Sequence, residues 1–140
     1  MRVRDAMTSE VRTIDESATL DVADELMREE VIRHLPVVSG RRLVGVVTQR
    51  DLFRAGLSSA LRSDPALEHD WFVQVPVRSI MTRHVLHAHP DASLADAADL
   101  MVRERIGCLP VVEDDELVGL LTETDCLRAL LQLLRSHERR

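Results

Sequence analysis

The chain has 140 residues, of which 45% are hydrophobic and 30% are charged, and its formal net charge is −6 at pH 7. This balance is typical of a folded domain with one hydrophobic core, and it argues against a disordered or fibrous chain. The negative charge argues against a general nucleic-acid binder, because affinity for the phosphate backbone comes mainly from lysine and arginine. We therefore expect no nucleic acid among its partners.

Targeting and redox signals are equally sparse. Met1 to Asp5 contain no apolar stretch typical of a signal peptide, and the hydrophobic stretch Cys126 to Leu134 is far shorter than a bilayer span. The two cysteines, Cys108 and Cys126, fall in predicted core segments and offer no disulfide framework. The sequence therefore predicts a cytoplasmic protein without membrane attachment.

An internal repeat determines the predicted architecture. Met7-Thr8 recurs as Met81-Thr82, an offset of 74 residues (81 − 7). The same offset holds without a gap for Leu20 and Leu94, Met27 and Met101, Pro36 and Pro110, Gly45 and Gly119, and Asp51 and Asp125. Both copies should therefore have the same elements at the same lengths.

Each copy opens with a short predicted strand, Val11 to Ile14 or Val85 to Ala88. An amphipathic helix follows, and we expect it to open at Ser17 or Asp91. Its predicted core face consists of Leu20, Ala23, Leu26, Met27 and Val31 in the first copy, and Leu94, Ala97, Leu100 and Met101 in the second.

A hairpin and a second helix complete each copy. Leu35 to Val38 and Leu43 to Val47 read as two strands joined by a tight turn at Ser39 to Arg42. A helix then begins near Thr48, or near Thr122 in the second copy. The fold class is α/β (α+β), with the order β-α-β-β-α occurring twice.

The predicted boundaries are a first repeat at 1–61, a connector at 62–76, a second repeat at 77–135 and a C-terminal tail at 136–140. Prolines and charges break the pattern in the connector. Trp71 and Phe72 lie in it, where they either anchor the connector to the core or contact an oligomer partner or a ligand base.

The segment Gly45 to Asp51, repeated as Gly119 to Asp125, is the sharpest local motif. Thr48 and Asp51 share one face of the first helical turn. A carboxylate there suits the vicinal hydroxyls of a ribose, and the threonine hydroxyl and free backbone N–H groups suit a phosphate. The alternative is that the threonine only caps the helix and the acid only favours its dipole. Duplication of the whole motif favours binding.

These motifs resemble those of tandem CBS domains, the cystathionine β-synthase type repeat. The resemblance covers nearly all of the chain apart from the connector and the last few residues. It rests on Met7-Thr8, Leu35-Pro36-Val37-Val38 and Gly45 through Asp51, with their counterparts Met81-Thr82, Leu109-Pro110-Val111-Val112 and Gly119 through Asp125. It implies two repeats packed about a pseudo-two-fold axis as one CBS-pair module, with two clefts that bind adenosine-containing ligands.

Carried over residue by residue, the resemblance implies two composite sites. The first consists of Thr48, Asp51, Thr82 and Val85, and the second consists of Thr122, Asp125, Thr8 and Val11. In such pairs the aspartate holds the ribose, and the threonine approaches ribose or phosphate.

Three further residues are candidates, each with an ordinary alternative. Arg33, whose counterpart is Gly107, either binds phosphate or is an exposed side chain at a strand entrance. Arg50, whose counterpart is Thr124, either reaches the second site or is an ordinary surface arginine. His34 either lines the first site or caps the strand. We therefore expect the two sites to be unequal.

Metal binding and catalysis find little support in the sequence. His84, His87 and His89 are close together, but only His87 and His89 would share a face of an extended strand, and no cysteine or carboxylate is obviously placed with them. No Gly-x-Ser-x-Gly, P-loop, Cys-x-x-Cys or His-Glu-x-x-His motif is present. We expect no metal site, no required cofactor and no enzymatic activity.

The last helix, predicted at Asp125 to Ser136, carries a broad apolar stripe of Cys126, Leu127, Leu130, Leu131 and Leu134. Its equivalent is predicted at Asp51 to Leu61. Because similar modules pair through these helices, we expect a homodimer.

The sequence thus predicts a cytoplasmic regulatory module, without an attached effector domain, that binds AMP, ADP, ATP or a derivative such as S-adenosylmethionine. A protein partner is also conceivable. The alternative is a dimerisation module with vestigial clefts, and a more distant one is an enzyme of unrecognised type.

Overall fold

The computed structural model describes residues 1–62 and 71–140, with side chains except at 58–62. It divides into two compact units, one formed by Arg12–Val85 and the other by Met1–Val11 together with Leu86–Arg140. Part of the predicted connector, residues 63–70, lies outside the described residues.

The elements follow the predicted order closely. In chain order they are α1 (Val3–Ala6), β1 (Ile14–Asp15), α2 (Leu20–Glu30), β2 (His34–Ser39), β3 (Arg42–Thr48), α3 (Gln49–Arg62), a 3₁₀ turn (Val77–Ser79), α4 (Leu94–Glu104), β4 (Cys108–Glu113), β5 (Glu116–Thr122) and α5 (Glu123–Glu138).

In the Arg12–Val85 unit, β1 pairs in parallel with β2, and β2 pairs antiparallel with β3. The side chains of Leu20, Leu35 and Val47 are fully buried between the helices and this sheet. Trp71 and Phe72 pack against the same core, with ring centroids 5.6 Å apart. The predicted anchoring role of these two aromatics is confirmed.

The other unit contains the antiparallel pair of β4 and β5. Its core includes Leu109, Val111 and Leu121, which are fully buried. Val3 joins that core from the N-terminal segment, and its backbone N–H donates to the Ala92 carbonyl at 2.9 Å. Apolar burial and backbone hydrogen bonds therefore hold the first residues of the chain in the unit of the second repeat.

Each hairpin has a two-residue turn. Ser39 pairs with Arg42 and Glu113 pairs with Glu116, so only two residues connect the strands of each hairpin. Gly40 has φ 65°, whereas Asp114 and Asp115 have φ 52° and 65°. Glycine and aspartate are among the residues that tolerate this left-handed region.

The first strand of each repeat is shorter than predicted. Only Ile14 and Asp15 form β1, and in the second copy only an isolated bridge joins Ala88 to Val111. Beyond Asp15 the chain turns, because the Asp15 carboxylate accepts a hydrogen bond from the Ser17 backbone N–H at 2.9 Å.

The predicted starts of α2 and α4, at Ser17 and Asp91, were too early. The helix begins at Leu20 after Thr19, and α4 begins at Leu94 after Ser93, whose hydroxyl accepts from the Asp96 N–H at 3.3 Å. Ser17 and Asp91 therefore precede their helices instead of opening them.

The predicted core face of α2 was wrong at its last member. Val31 is 88% exposed and has φ 52°, so it ends the helix in a left-handed conformation and its side chain leaves the core face. The final helix also extends beyond the predicted end at Ser136, to Glu138. Across the described residues, no helix combines the length and apolar character needed to cross a membrane.

Candidate ligand-binding sites

Each Met-Thr pair lies against the strand that leads into the motif helix. Thr82 and Val46 exchange two backbone hydrogen bonds of 2.9 and 3.0 Å, and Thr8 and Leu120 exchange two of 2.9 Å. This close approach requires glycine beside it, because a Cβ at Gly45 would lie 2.8 Å from the Thr82 carbonyl oxygen. The repeated Met-Thr and Gly positions therefore have one structural cause.

In the Arg12–Val85 unit, Thr48 and Asp51 bond reciprocally across the first turn of α3. The Asp51 N–H donates to Thr48 Oγ1 at 3.1 Å, and the Thr48 N–H donates to Asp51 Oδ2 at 2.8 Å. Asp51 is half-buried, and its Oδ1 accepts no hydrogen bond from any described residue. One carboxylate oxygen is thus used by the helix, and the other is open as far as the described residues are concerned.

In the other unit, Thr122 and Asp125 make the same reciprocal bonds, at 3.0 and 3.2 Å. Here a third residue takes part, because the Thr8 hydroxyl lies 3.2 Å from Asp125 Oδ1 and 3.3 Å from Oδ2. Arg128 Nη1 lies 3.8 Å from Oδ1 as well. Asp125 is only 5% exposed, so this carboxylate is buried and partnered where Asp51 is open.

The alternative that the threonine caps the helix correctly describes these bonds. Both threonines accept from the N–H of their aspartate, and both aspartates accept from the N–H of their threonine, as in a capping box. It does not exclude binding. A carboxylate offers about four lone-pair positions; at Asp51 one backbone N–H occupies one of them, and at Asp125 a backbone N–H and the Thr8 hydroxyl occupy at least two.

The structure places the remaining predicted residues as follows. The Arg33 carbonyl accepts from the Gln49 N–H at 2.9 Å, and the Arg33 side chain is exposed at the start of α3. His34 pairs with Thr48 across the hairpin and is half-buried. Arg50 is exposed on the first turn of α3.

Val85 and Val11 are half-buried and end the segments that begin at Thr82 and Thr8. Each predicted set of four residues thus falls within one unit: Thr48, Asp51, Thr82 and Val85 in Arg12–Val85, and Thr8, Val11, Thr122 and Asp125 in the other. Backbone bonds carry the Thr82 and Thr8 segments to β3 and β5, so the threonine of each segment is held close to its motif helix.

Charge differences between equivalent positions of the two sites were missed from the sequence. Gln49 and Glu123 occupy the same position at the start of the two motif helices, and His84 and Glu10 occupy the same position after the two Met-Thr pairs. Arg83, whose counterpart is Ser9, was also missed. Comparing every position at the offset of 74 residues would have found all three differences.

Both cysteines are free thiols close to the second motif. Burial, together with the nearby Glu123 carboxylate, raises the pKa of Cys108 to about 12. Burial also raises the pKa of Cys126, with a further contribution from Asp125 and Glu123. Neither thiol has the low pKa of a catalytic nucleophile.

One expectation about the histidines was wrong, because carboxylates do lie beside His89. The ligand atoms of His89, Asp91 and Glu113 lie within 4.8 Å of one another. However, His89 Nδ1 accepts from the Asp91 N–H at 3.1 Å, and Arg4 donates to the Asp91 carboxylate. His89 Nδ1 and the Asp91 carboxylate are thus occupied by protein donors, and the adjacent guanidinium opposes a cation.

Comparison with known proteins establishes the family. The sequence profile of the CBS domain matches the chain twice, at residues 3–58 and 77–132. The chain therefore belongs to the CBS domain family, and it carries two copies of the domain.

One relative shows that this pair also occurs within larger proteins. The homoserine O-acetyltransferase of Methanococcoides burtonii is 38% identical over 130 residues, which is 91% of this chain but 24% of the relative. The chain thus spans about a quarter of the length of that relative.

Solved structures confirm the fold of a CBS-domain pair. AcuB from Vibrio cholerae has a TM-score of 0.84 and 35% identity, covering 100% of this chain and 97% of that protein. CBSX2, solved with AMP, has a TM-score of 0.79 and 31% identity, covering 94% and 97%. The CBS pair of MJ0100, solved with 5′-methylthioadenosine and S-adenosylmethionine, has a TM-score of 0.76 and 27% identity, covering 93% and 99%.

Proposed function

We propose that this chain is a cytoplasmic regulatory module that binds adenosine-containing compounds and performs no catalysis. The observation that carries the proposal is the duplicated Thr-x-x-Asp turn, at Thr48 and Asp51 and again at Thr122 and Asp125. In each copy an aspartate at a helix N-terminus is oriented by a backbone N–H. Asp51 keeps capacity for further donors, whereas at Asp125 the Thr8 hydroxyl would have to give way to those of the ribose.

The chemistry of the turn suits a ribose. Vicinal hydroxyls donate two hydrogen bonds in parallel, and an ionised carboxylate is an acceptor with two oxygens. Asp51 Oδ1 is open in the described structure and the residue is half-buried, so a ligand can reach it without displacing another side chain.

The surroundings of Asp51 also suit a phosphate. The first N–H groups of a helix and its dipole favour an anion. Arg33 lies directly beside this turn, because its carbonyl accepts from the first residue of α3, and its guanidinium is exposed. A guanidinium is well matched to phosphate oxygens.

The known relatives support the same ligand class. CBSX2 was solved with AMP, and the MJ0100 pair with 5′-methylthioadenosine and S-adenosylmethionine. All three ligands contain adenosine. The shared chemistry is a ribose attached to adenine, with different groups at the 5′ position.

Isothermal titration with AMP tests the proposal, using wild-type protein and Asp51→Asn. Asparagine keeps an oxygen that can accept from the Thr48 N–H, but it loses the charge and the second acceptor. We expect binding to wild type and an affinity at this site lowered about tenfold or more. Asp99→Asn, an exposed acid on α4, is the matched control and should bind as wild type does.

A second readout separates the sensor from the dimerisation module with vestigial clefts. AMP at 100 times its dissociation constant should stabilise the protein by about 2.7 kcal/mol and raise its melting temperature by several degrees. If AMP, ADP, ATP, adenosine, S-adenosylmethionine and NAD all leave the melting temperature unchanged, the sensor proposal fails and the scaffold function replaces it.

We also propose that the module is a homodimer. Helix α5 exposes an apolar face, with Leu127 60% exposed and Leu130, Leu131 and Leu134 about half exposed. Helix α3 exposes Phe53 to 70%. So much apolar surface on long helices is typical of an interaction face.

Light scattering coupled to gel filtration tests the dimer. Leu130→Glu should convert dimer to monomer, because a charge cannot be buried in an apolar interface without a partner. The control is Val102→Glu on α4, which is 75% exposed and lies outside the α5 face. A wild-type monomer, or a Leu130→Glu dimer, would contradict the assignment.

Regulation requires that the ligand prefer one conformation or assembly over another. We propose that a protein partner, or a domain joined to this module, binds the ligand-favoured conformation or assembly preferentially. Scattering or hydrogen exchange with and without AMP tests this step, and identical profiles would refute it.

A further inference from the structure

The backbones of the two sites match closely, so differences between them come from side chains. The N–H of Gln49 donates to the Arg33 carbonyl at 2.9 Å, and the N–H of Glu123 donates to the Gly107 carbonyl at 3.1 Å. The reciprocal Thr-Asp bonds and the paired Met-Thr segments are also the same in both units. Each position in one site can therefore be compared with its counterpart.

The site around Asp51 is basic. Arg33 precedes the hairpin strand that pairs with Thr48, Arg50 lies on the same helical turn as Asp51, and both are exposed. Arg83 follows Thr82 directly, and its guanidinium donates to the Arg78 carbonyl at 3.0 Å. Three arginines thus lie in the segments that form this site, each beside a residue assigned to it.

The site around Asp125 has lost these arginines and gained acids. The three counterparts are Gly107, Thr124 and Ser9, none of which is charged. Glu123 replaces Gln49 at the first position of the helix, and Glu10 replaces His84. Three carboxylates therefore lie in the segments that form this site.

Two differences run the other way, because Arg12 follows Val11 where the first site has Leu86, and Arg105 lies two residues before Gly107 where the first site has Val31. Arg12 is paired with Glu30 at 3.0 Å, so Arg105 alone offsets part of the contrast, one arginine against three.

Arg128, 3.8 Å from Asp125, has Arg54 as its counterpart one turn after Asp51, so the arginine is common to both sites. The Glu123 carboxylate already acts on its neighbours, because it contributes to the raised pKa of Cys108. Glu123 is the first residue of α5, so an anionic ligand group at that helix N-terminus would meet its charge.

This contrast decides which 5′ group each site can take. A phosphate carries close to two negative charges at pH 7, and near arginines it forms charge-assisted hydrogen bonds. The same group beside Glu123, Glu10 and Asp125 meets like charges within a Debye length of about 8 Å. An uncharged 5′ group avoids that repulsion, and a cationic one is attracted.

We propose, resting on adenosine binding as argued above, that the two sites are divided by the charge of the ligand. The Asp51 site takes a 5′-phosphorylated adenosine compound, and the Asp125 site takes an adenosine compound without phosphate. The module then reads two classes of metabolite at once, one anionic and one neutral or cationic.

Two single-site variants of the full chain test the division. Asp125→Asn leaves the first site intact, and Asp51→Asn leaves the second, while both keep an oxygen for the helix cap. Each is titrated with AMP and with 5′-methylthioadenosine at low salt. We expect Asp125→Asn to prefer AMP by about tenfold or more, the worth of one charge-assisted hydrogen bond, and Asp51→Asn to prefer 5′-methylthioadenosine.

Removing one carboxylate from the second site then tests whether charge causes the preference. In the Asp51→Asn background, Glu123→Gln should raise the affinity for AMP by up to about fivefold, because one like charge is removed from an exposed position. Glu138→Gln, at the far end of the same helix, is the matched control and should change nothing. The effect of Glu123→Gln should shrink at about 1 M salt, where the Debye length is near 3 Å.

The outcomes separate this inference from the proposed function. If neither compound binds wild type, adenosine binding fails and the division fails with it. If both bind but Asp51→Asn prefers AMP, or Glu123→Gln changes nothing, adenosine binding stands and the division by charge is overturned.

Discussion

A single methyl group added at Gly45 should destabilise the Arg12–Val85 unit. In Gly45→Ala the new Cβ would lie 2.6 Å from Met81 Sδ and 2.8 Å from the Thr82 carbonyl oxygen. The methionine sulfur can move, but the Thr82 backbone is held to Val46 by two hydrogen bonds of 2.9 and 3.0 Å. The carbonyl contact must lengthen from 2.8 to an ordinary 3.4 Å, a displacement of about 0.6 Å.

The magnitude follows from these contacts. Overpacking of a filled site costs about 1–3 kcal/mol, and weakening a backbone hydrogen bond costs about 1 kcal/mol. We therefore expect the free energy of unfolding to fall by about 2–4 kcal/mol and the melting temperature to fall by about 6–16 °C.

Urea unfolding followed by tryptophan fluorescence measures this loss. Trp71 is the only tryptophan of the chain, and it packs on the core of the same unit, so its emission reports that unit. Gly40→Ala is the control, because nothing lies within 4 Å of its Cβ position and only its left-handed φ of 65° is strained, worth about 1 kcal/mol. A Gly45→Ala midpoint equal to wild type, or no lower than that of Gly40→Ala, would refute the reasoning.

Three further outcomes follow from the same structure. Thr122→Ala should lower the free energy of unfolding, measured by thermal melting, by about 1 kcal/mol because the N-cap hydroxyl is lost. Thr122→Ser keeps a hydroxyl and should be about as stable as wild type, so equal melting temperatures for the two variants would contradict the cap. In native protein at pH 8, a thiol reagent should modify Cys126 well before Cys108, whose pKa of about 12 leaves roughly one thiolate in ten thousand, and equal rates would contradict that burial. The hydrogen bond from Arg4 holds the pKa of Asp91 below its usual 3.8. The bond therefore stabilises the folded state above pH 3.8, and this stabilisation is lost as the pH falls through the lower pKa of the folded protein. Arg4→Ala should therefore unfold more easily than wild type at pH 7, and the difference should shrink as the pH falls below 3.8; a constant difference would count against the pair.

Much of the fold could be predicted because each element of the repeat occurs twice in the sequence, at the same spacing. Strand alternation and turn residues located both hairpins, and the Thr-x-x-Asp spacing located the start of both motif helices. Helical periodicity identified Leu20, Ala23 and Met27 as buried, as the structure confirms. Val31 was wrong because periodicity alone does not show where a helix ends.

The local chain path before each helix was harder to predict. A strand was predicted at Val11 to Ile14, yet only Ile14 and Asp15 pair with β2. The turn after Asp15 depends on hydrogen bonds to Ser17, which compete with helix formation and are weakly encoded in apolar periodicity.

The site was predictable in its residues but not in its asymmetry. Sequence spacing brings Thr122 and Asp125 together within one helical turn. The bond from Thr8 to Asp125 joins residues 117 positions apart, and its absence between Thr82 and Asp51 in the described structure distinguishes two sites with the same motif. Only tertiary structure shows that the Asp125 carboxylate has a side-chain partner, whereas the Asp51 carboxylate has none among the side chains that the structure describes.

The central claim is that Asp51 accepts hydrogen bonds from the hydroxyls of a ribose. A thermodynamic cycle by titration calorimetry tests it, with AMP and 2′,3′-dideoxy-AMP against proteins with and without the Asp51→Asn substitution, both in the Asp125→Asn background. The account predicts that removing the hydroxyls weakens binding far more when the Asp51 carboxylate is present than after its replacement by asparagine, with a coupling of about 1 kcal/mol or more. Additive losses, with no coupling between hydroxyls and carboxylate, would contradict it.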